Sequence, residues 1–134
     1  MAERVRPMSS LVFTFEQPST PLSLNKSNSM HWAERRRYLS DWRLACRMAF
    51  QKKALELQEF AIEPVVLSFT FTFPRNGRRD PHNYVATAKS LCDELVIAGL
   101  VPDDTAEWVS VVEPTLRISS DNLCIVTITA REVK

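Results

Sequence analysis

Between residues 78 and 104 the chain groups acids and bases that could act on a phosphodiester. The stretch begins with RRDPHN at 78–83, continues through a helical pattern that contains Lys89, and ends with PDD at 102–104. Hydrolysis of a phosphodiester needs an activated nucleophile, neutralised phosphate charge and a stabilised leaving oxygen. A hard cation such as Mg²⁺, held by one or two carboxylates and waters, supplies all three. Asp80, Asp103 and Asp104 are carboxylates of this kind, and the Lys89 ammonium is suited to steadying a charged phosphate.

The pattern around these residues indicates the elements that position them. Pro81 disfavours helical geometry at Asp80, so this carboxylate is expected to precede the helix. Apolar residues then recur at spacings of four, three and four, which is one stripe of an α-helix; the stripe consists of Tyr84, Ala88, Leu91 and Leu95. Gly99 suits the left-handed residue that follows many helices. Because a helix of about sixteen residues spans roughly 24 Å, Asp80 and Asp104 can meet only if the chain folds back after Gly99.

Each of these residues also has an ordinary structural role open to it. Asp80 could cap the helix or interact with its dipole. Asp103 and Asp104 follow a proline and could form a simple turn. Lys89 and Asp93 are four residues apart and could form a surface ion pair worth roughly a few tenths of a kcal/mol.

Taken in order, the motif resembles the RusA family of Holliday-junction resolvases, which are small homodimeric endonucleases that need a divalent metal. The resemblance rests on RRDPxN, a Lys and an Asp four residues apart, Ala-Gly and Asp-Asp, within the 27 residues from 78 to 104. A second stretch from Asn28 to Arg43 also resembles phage-type members. Together the two stretches cover about a third of the chain.

The resemblance implies roles for individual residues. It assigns metal binding to Asp80 and Asp104, with Asp103 as a neighbouring ligand, and Mg²⁺ as the cofactor with Mn²⁺ as an alternative. Lys89 corresponds to the family's lysine, although three more residues separate it from Asn83 than in the bacterial prototype. The expected catalytic set is Asp80, Asp104, Lys89 and His82.

His82 stands where the family pattern usually has a second acid. Imidazole is a poor ligand for Mg²⁺ but a fair one for Mn²⁺. His82 could therefore bind Mn²⁺, contact a phosphate when protonated, or point away from the site. The same substitution could also mean weakened catalysis or a different metal preference.

Basic residues gather in the first two thirds of the chain. Residues 1–89 carry fourteen Lys and Arg against eight Asp and Glu, whereas residues 90–134 carry three against eight. Such a split favours a polyanionic partner for the basic part and a cation for the acidic part, although splits of this size also arise by chance in many domains.

Three arginines, Arg36, Arg43 and Arg47, are seven and four residues apart and so share one side of a helix. That side is either a solvated face or a surface that contacts DNA phosphates. Trp32 and Trp42 of the same segment are expected to pack rather than to stack on bases. With the resemblance, the residues expected to contact DNA are Arg36, Arg43, Arg47, Arg75, Arg78, Arg79 and Asn83.

The remaining patterns predict an α+β fold. Strands are predicted at Leu11–Glu16, Val65–Phe73, Glu107–Ile118 and Leu123–Ala130. Pro114 bends the third of them or places it at a sheet edge, and a loop at 19–29 precedes a helix from about Met30 to Leu57. This order favours a single RusA-like domain over residues 1–134, with a mixed sheet of about four strands, two main helices on one side, and a loose end at 1–9.

Several classes of protein are disfavoured by composition. The chain contains no run of 18 apolar residues, so no membrane span is expected. Cys46, Cys92 and Cys124 lie far apart without metal-type spacing, which favours reduced core or near-core cysteines in a cytosolic protein. Because the chain has only two glycines, no phosphate-cradling glycine loop is expected. We expect a cytoplasmic location in a bacterial host, with the chain encoded by the bacterium or a phage.

Two functions from different classes are consistent with these patterns. One is a metal-dependent endonuclease that resolves Holliday junctions or related branched DNA as a homodimer, in DNA recombination and repair. The alternative is a junction- or DNA-binding protein of the same fold that cuts poorly because His82 replaces an acid.

Overall fold

Five strands of the protein form one mixed sheet in the computed structural model, which describes residues 10–54 and 63–131. The strands are β1 (Ser10–Glu16), β2 (Val65–Phe73), β3 (Val109–Val111), β4 (Thr115–Ile118) and β5 (Leu123–Ala130). The helices are α1 (Leu24–Ser29), α2 (Trp32–Lys52) and α3 (Val85–Ile97), with a 3₁₀ turn at Pro81–Tyr84 immediately before α3. The predicted α+β architecture is confirmed. The loose end predicted at residues 1–9 lies outside the described residues.

The strand β2 is the centre of the sheet. It pairs antiparallel with β5 on one side and parallel with β3 and β4 on the other, and β1 lies beyond β5. Because successive side chains point to opposite faces, its odd-numbered residues all enter the core, and none is more than 2% exposed. They are Val65, Leu67, Phe69, Phe71 and Phe73, the face that the alternation predicts.

The predicted strand Glu107–Ile118 lies at the sheet edge and is interrupted near Pro114, where β3 and β4 are separate strands. Leu67 lies opposite Val111 and Thr70 lies opposite Thr115. From Leu67 to Thr70 the strand β2 advances by three residues, whereas from Val111 to Thr115 the neighbouring chain advances by four. One extra residue is therefore accommodated between β3 and β4. Proline cannot donate a hydrogen bond to the ladder, which is why the pairing breaks at this point.

The helices α2 and α3 pack on the buried face of the sheet. Trp42 of α2 is 0% exposed, and its ring meets Phe15 and Phe71 edge-on with centroids 5.8 and 5.6 Å away. Tyr84, at the entry to α3, meets Phe73 with centroids 5.5 Å apart. Such edge-to-face pairs contribute beyond the area that they bury. Trp42 is thus the packing residue that the sequence predicts.

The first helical region differs from the prediction of one helix from Met30 to Leu57. A short helix, α1, occupies part of the predicted loop, because the Ser23 hydroxyl accepts a hydrogen bond from the Lys26 N–H at 3.2 Å. Met30 ends α1, and His31 caps the start of α2. Leu57 lies outside the described residues. No helix within residues 10–54 or 63–131 is both long and apolar enough to cross a membrane.

A buried carboxylate fastens α3 to α2. Glu94 is 5% exposed, and it accepts hydrogen bonds from Arg43 Nε at 3.0 Å and from Arg47 Nη1 at 2.9 Å. A carboxylate that leaves water at such a position needs charged partners, because an unpaired buried charge is costly. The Thr87 hydroxyl of α3 also donates a hydrogen bond to the carbonyl of Leu22, in the segment before α1, at 2.9 Å. The placement of α3 is therefore fixed by polar contacts as well as by its apolar stripe.

All three cysteines are buried and free, as the sequence predicts. Burial raises the pKa of the Cys46 and Cys124 thiols far above the ordinary range. These two thiols consequently remain protonated and act as small apolar groups in the core.

We expect Glu94→Gln to lower the free energy of unfolding by about 1–3 kcal/mol, since two charge-assisted hydrogen bonds lose their anionic acceptor. Urea denaturation followed by circular dichroism measures this change. The matched control is Asp93→Asn on the same helix, whose partner Lys89 lies 3.9 Å away with both side chains exposed; it should change stability by under about 0.5 kcal/mol. Equal effects of the two variants would contradict the proposed importance of Glu94.

Candidate functional site

Asp80 lies in extended backbone immediately before the 3₁₀ turn, with φ −105° and ψ 121°. Its Oδ1 accepts a hydrogen bond from the His82 N–H at 3.0 Å, and Pro81 occupies the first position of the turn. The predicted geometry is confirmed, and the capping role considered for Asp80 is also present. Both Asp80 and His82 are exposed, so the cap leaves the carboxylate accessible to a ligand. The metal and phosphate roles considered for His82 remain predictions.

The chain reverses direction at the end of α3, through a glycine. Gly99 has φ +105°, and its N–H bonds to the Val96 carbonyl at 3.0 Å while the Leu100 N–H bonds to the Leu95 carbonyl at 3.0 Å. This pair of bonds is a Schellman motif, which needs a left-handed residue. Leu100 and Val101 are then buried at 1% and 3% exposure. The predicted role of Gly99 is confirmed, and apolar burial directs the following acids back along α3.

A cleft of about 410 Å³ between α3 and the β3–β4 edge brings distant charged residues together. We call it the Lys89–Asp104 cleft. Its charged lining residues are Lys89 from α3, Asp104 from the segment after the reversal, and Glu113 from the break in the edge strand. Val85 and Cys92 form part of its wall. The chain therefore folds back along α3, which is the condition for Asp80 and Asp104 to meet, since Asp104 shares a cleft with residues of the first half of α3.

The pKa of the Cys92 thiol depends on charges on both sides of this cleft. Its pKa is raised to about 11, first by burial and then by the negative charge of Asp93; Lys89 lowers it and Asp104 raises it. One thiol thus experiences both Lys89 and Asp104. The lysine and the returning acid act on the same small region of the protein.

Lys89 forms the surface pair that its spacing allows. Its Nζ lies 3.9 Å from Asp93 Oδ1, and the two side chains are 67% and 44% exposed. That separation is too long for a hydrogen bond, and exposed pairs of this kind contribute little stability. The ammonium of Lys89 is consequently available to a phosphate in the cleft.

Of the three predicted acids, Asp104 lines the Lys89–Asp104 cleft. Asp80 is not among the residues that line the Lys89–Asp104 cleft, and Asp103 Oδ1 accepts a hydrogen bond from the Asp104 N–H at 2.7 Å. Within the described residues, no group of three or more His, Cys, Asp and Glu side chains is placed to hold a metal ion. The acid that joins Asp104 in the cleft is Glu113, which the sequence reasoning missed. Its one sequence signal is its position directly before the strand-breaking Pro114.

The arginines of α2 line a second cleft, of about 440 Å³, on the other side of α3. We call it the arginine cleft; Arg36, Arg43, Arg47 and Glu94 are its charged residues. Arg43 and Arg47 hold Glu94, whereas the Arg36 guanidinium lies 5.0 Å from the centroid of the Trp32 ring. These arginines do share one side of α2, as predicted, and their contact with DNA remains a prediction.

The remaining residues predicted to contact DNA surround the turn before Asp80. Arg75 and Arg78 are exposed. Arg79 folds inward: its guanidinium lies 4.0 Å from the Phe73 ring centroid and donates to the Arg75 carbonyl at 3.0 Å. The Asn83 N–H donates to the Asp80 carbonyl at 2.9 Å. Arg79 therefore shapes the loop, while Arg75 and Arg78 present free charge to solvent.

Trp32 is not a packing residue, contrary to the prediction. It is 59% exposed because it occupies the first position of α2, ten residues before Trp42, where the fully buried stripe of that helix begins. Its ring lies against His31, with centroids 5.6 Å apart. An exposed tryptophan between a histidine and an arginine is a feature that the apolar pattern alone does not reveal.

No family model matches this chain, and no significant match is found among curated proteins. Any function assigned to the chain must therefore be argued from its own residues and their arrangement.

The arrangement of the Lys89–Asp104 cleft can be tested through the Cys92 thiol. Asp104→Asn removes a charge that raises the pKa of Cys92, so alkylation of Cys92 at pH 9 should become faster. Lys89→Ala removes a charge that lowers this pKa, so the reaction should become slower. Peptide mass spectrometry on the folded protein measures both rates. Glu107→Gln, outside the cleft lining, is the control, and identical rates in all variants would mean that the two charges do not act on Cys92.

Proposed function

We propose that this protein is a metal-dependent endonuclease that cuts branched DNA, with a four-way junction as the expected substrate. The observation that carries the proposal is the meeting of Lys89 and Asp104 in one cleft although 15 residues separate them. A carboxylate can hold a divalent cation and an ammonium can stabilise phosphate charge, and both groups serve phosphodiester hydrolysis. The resemblance to RusA-type resolvases supports branched DNA as the substrate class.

The oxygen donors present fit a hard divalent cation. Mg²⁺ is commonly held by only one or two carboxylates, with waters and substrate phosphates completing its coordination. Asp104 and Glu113 line the cleft and would hold the ion there, with Asp103 next to Asp104 in the chain. The resemblance adds Asp80, which is exposed at the entry to the same helix. When bound, the cation would activate water and neutralise phosphate charge. Mn²⁺ would be an alternative cofactor, since His82 is a fair ligand for it.

The chain's own residues supply positioning and charge. Lys89 stabilises negative charge on the phosphate or the leaving oxygen, because its ammonium lines the cleft and lies 3.9 Å from Asp93, too far to be engaged in a hydrogen bond. The apolar part of the wall, which includes Val85 and Val109, packs around these charges. Exposed Arg75 and Arg78 hold flanking phosphates without reading sequence.

A DNA-binding protein of the same fold that cuts poorly is the second candidate. Two observations favour it: His82 stands in place of an acid, and Asp80 is outside the lining of the Lys89–Asp104 cleft. Basic residues of α2 and of the turn before Asp80 would still attract DNA. The two candidates differ in whether junction binding is followed by a cut.

We expect Asp80→Asn and Asp104→Asn each to lower junction cleavage at least about a hundredfold, since even outer-shell metal partners are worth 10- to 100-fold. Junction binding should be unchanged or tighter, because an amide no longer repels phosphate. Gel assays of cutting and of binding measure both effects. The control is Asp41→Asn, an exposed acid of α2, which should cut normally. Full activity in either test variant would remove that residue from the site.

We expect the active form to be a symmetric dimer, because paired nicks across a junction require two sites and a two-fold axis supplies the second. Light scattering at micromolar concentration should report about twice the chain mass of 15.3 kDa. The half-buried outer face of the sheet, which includes Thr127 and Thr129, is available for the contact. A strict monomer that still makes paired nicks would contradict this expectation.

A further inference from the structure

Trp32 and the arginine cleft adjoin each other through one residue. The Arg36 guanidinium lies 5.0 Å from the Trp32 ring centroid and Arg36 also lines the arginine cleft. We propose that this surface binds an unpaired nucleotide strand, with a base stacked on Trp32 and the backbone phosphates in the arginine cleft. The proposal rests on the proposed function in one respect, namely that the ligand is DNA.

The exposure of Trp32 is the first support. A residue of this size is normally among the largest contributors to a core, yet 59% of Trp32 is accessible. Base–aromatic stacking contributes about 1–3 kcal/mol per base and tolerates any sequence, because every base has a π-face. A duplex hides the faces of its stacked bases, so an exposed indole gains a partner only where bases are unstacked or unpaired, as they are in a single-stranded segment.

The charge of the arginine cleft is the second support. Three guanidinium groups face one carboxylate, since Arg36, Arg43 and Arg47 share the cleft with Glu94, and a positive excess remains. Arg43 and Arg47 each use a single nitrogen to bind Glu94, which leaves further N–H donors on both. Guanidinium groups bind phosphate oxygens with two parallel hydrogen bonds. The cleft therefore holds rigid, pre-positioned donors for phosphates.

Glu94 makes these donors rigid. A long arginine side chain on a surface loses conformational entropy when it binds, but the guanidinium groups of Arg43 and Arg47 are already fixed by a carboxylate that is 5% exposed. Glu94 is therefore a positioning residue for the cleft. From Trp32 to Arg47 the helix α2 extends over roughly 22 Å, which is long enough for several nucleotides of a single strand.

The test compares binding of two probes in EDTA, so that no cutting occurs. The probes are a fluorescent oligothymidylate of about a dozen nucleotides, within the roughly 4–16 nucleotides that single-strand sites cover, and a duplex of the same length. Trp32→Ala should weaken binding of the single strand about tenfold and leave the duplex within about twofold. Trp32→Phe should keep most of the affinity, because a phenyl ring still stacks.

Two further variants complete the design. Met48→Ala, which removes another exposed apolar side chain of α2 outside the arginine cleft, should bind both probes like the parent protein. Arg36→Ala should reduce the slope of log K against log salt by roughly one. Unchanged single-strand affinity in Trp32→Ala would overturn the proposal, and so would an equal loss for the duplex, which would indicate a general or structural effect. Since the assay needs no cleavage, a protein that fails to cut with any metal would refute the proposed function without deciding this one.

Discussion

The position of α3 depends on a buried carboxylate that two arginines of α2 share. Glu94 lies on one flank of α3, whereas Val85, Lys89 and Cys92, spaced by four and three residues, lie on the other flank. The apolar stripe between the flanks faces the core. Because a helix is rigid, fixing Glu94 against α2 also fixes the side of α3 that forms the Lys89–Asp104 cleft. The two clefts are consequently parts of one arrangement.

In the fold, the basic and acidic parts of the sequence supply different clefts. The basic first part of the chain supplies the arginine cleft and the exposed arginines before Asp80, while the acidic last part supplies Asp104 and Glu113. A polyanion that reaches both clefts would bind the arginine cleft through its phosphates. On the other side of α3 it would meet the acids and the lysine of the Lys89–Asp104 cleft. Acids that repel a phosphate are useful there only with a cation between them, which is the physical reason to propose a metal-dependent reaction.

Local patterns predicted most of the fold because β2, β5 and α3 obey simple periods. The alternation in Val65–Phe73 and the stripe through Leu91 predicted the buried faces, and Gly99 was predicted correctly as the left-handed residue that ends α3. Glu94 and Glu113 escaped prediction, since their roles depend on tertiary contacts with α2 and with the cleft, which no spacing encodes. The joint metal site of Asp80 and Asp104 stays a prediction, because it depends on the direction of a fold-back that is set by burial of the residues after Gly99.

The central claim is that the Lys89–Asp104 cleft hydrolyses DNA with the help of a divalent cation. Incubation of the parent protein with a four-way junction in Mg²⁺, in Mn²⁺ and in EDTA tests it most directly. We predict paired nicks in at least one of the two metals and none in EDTA. Binding of the junction without nicks in either metal would contradict the account and leave a DNA-binding protein of the same fold.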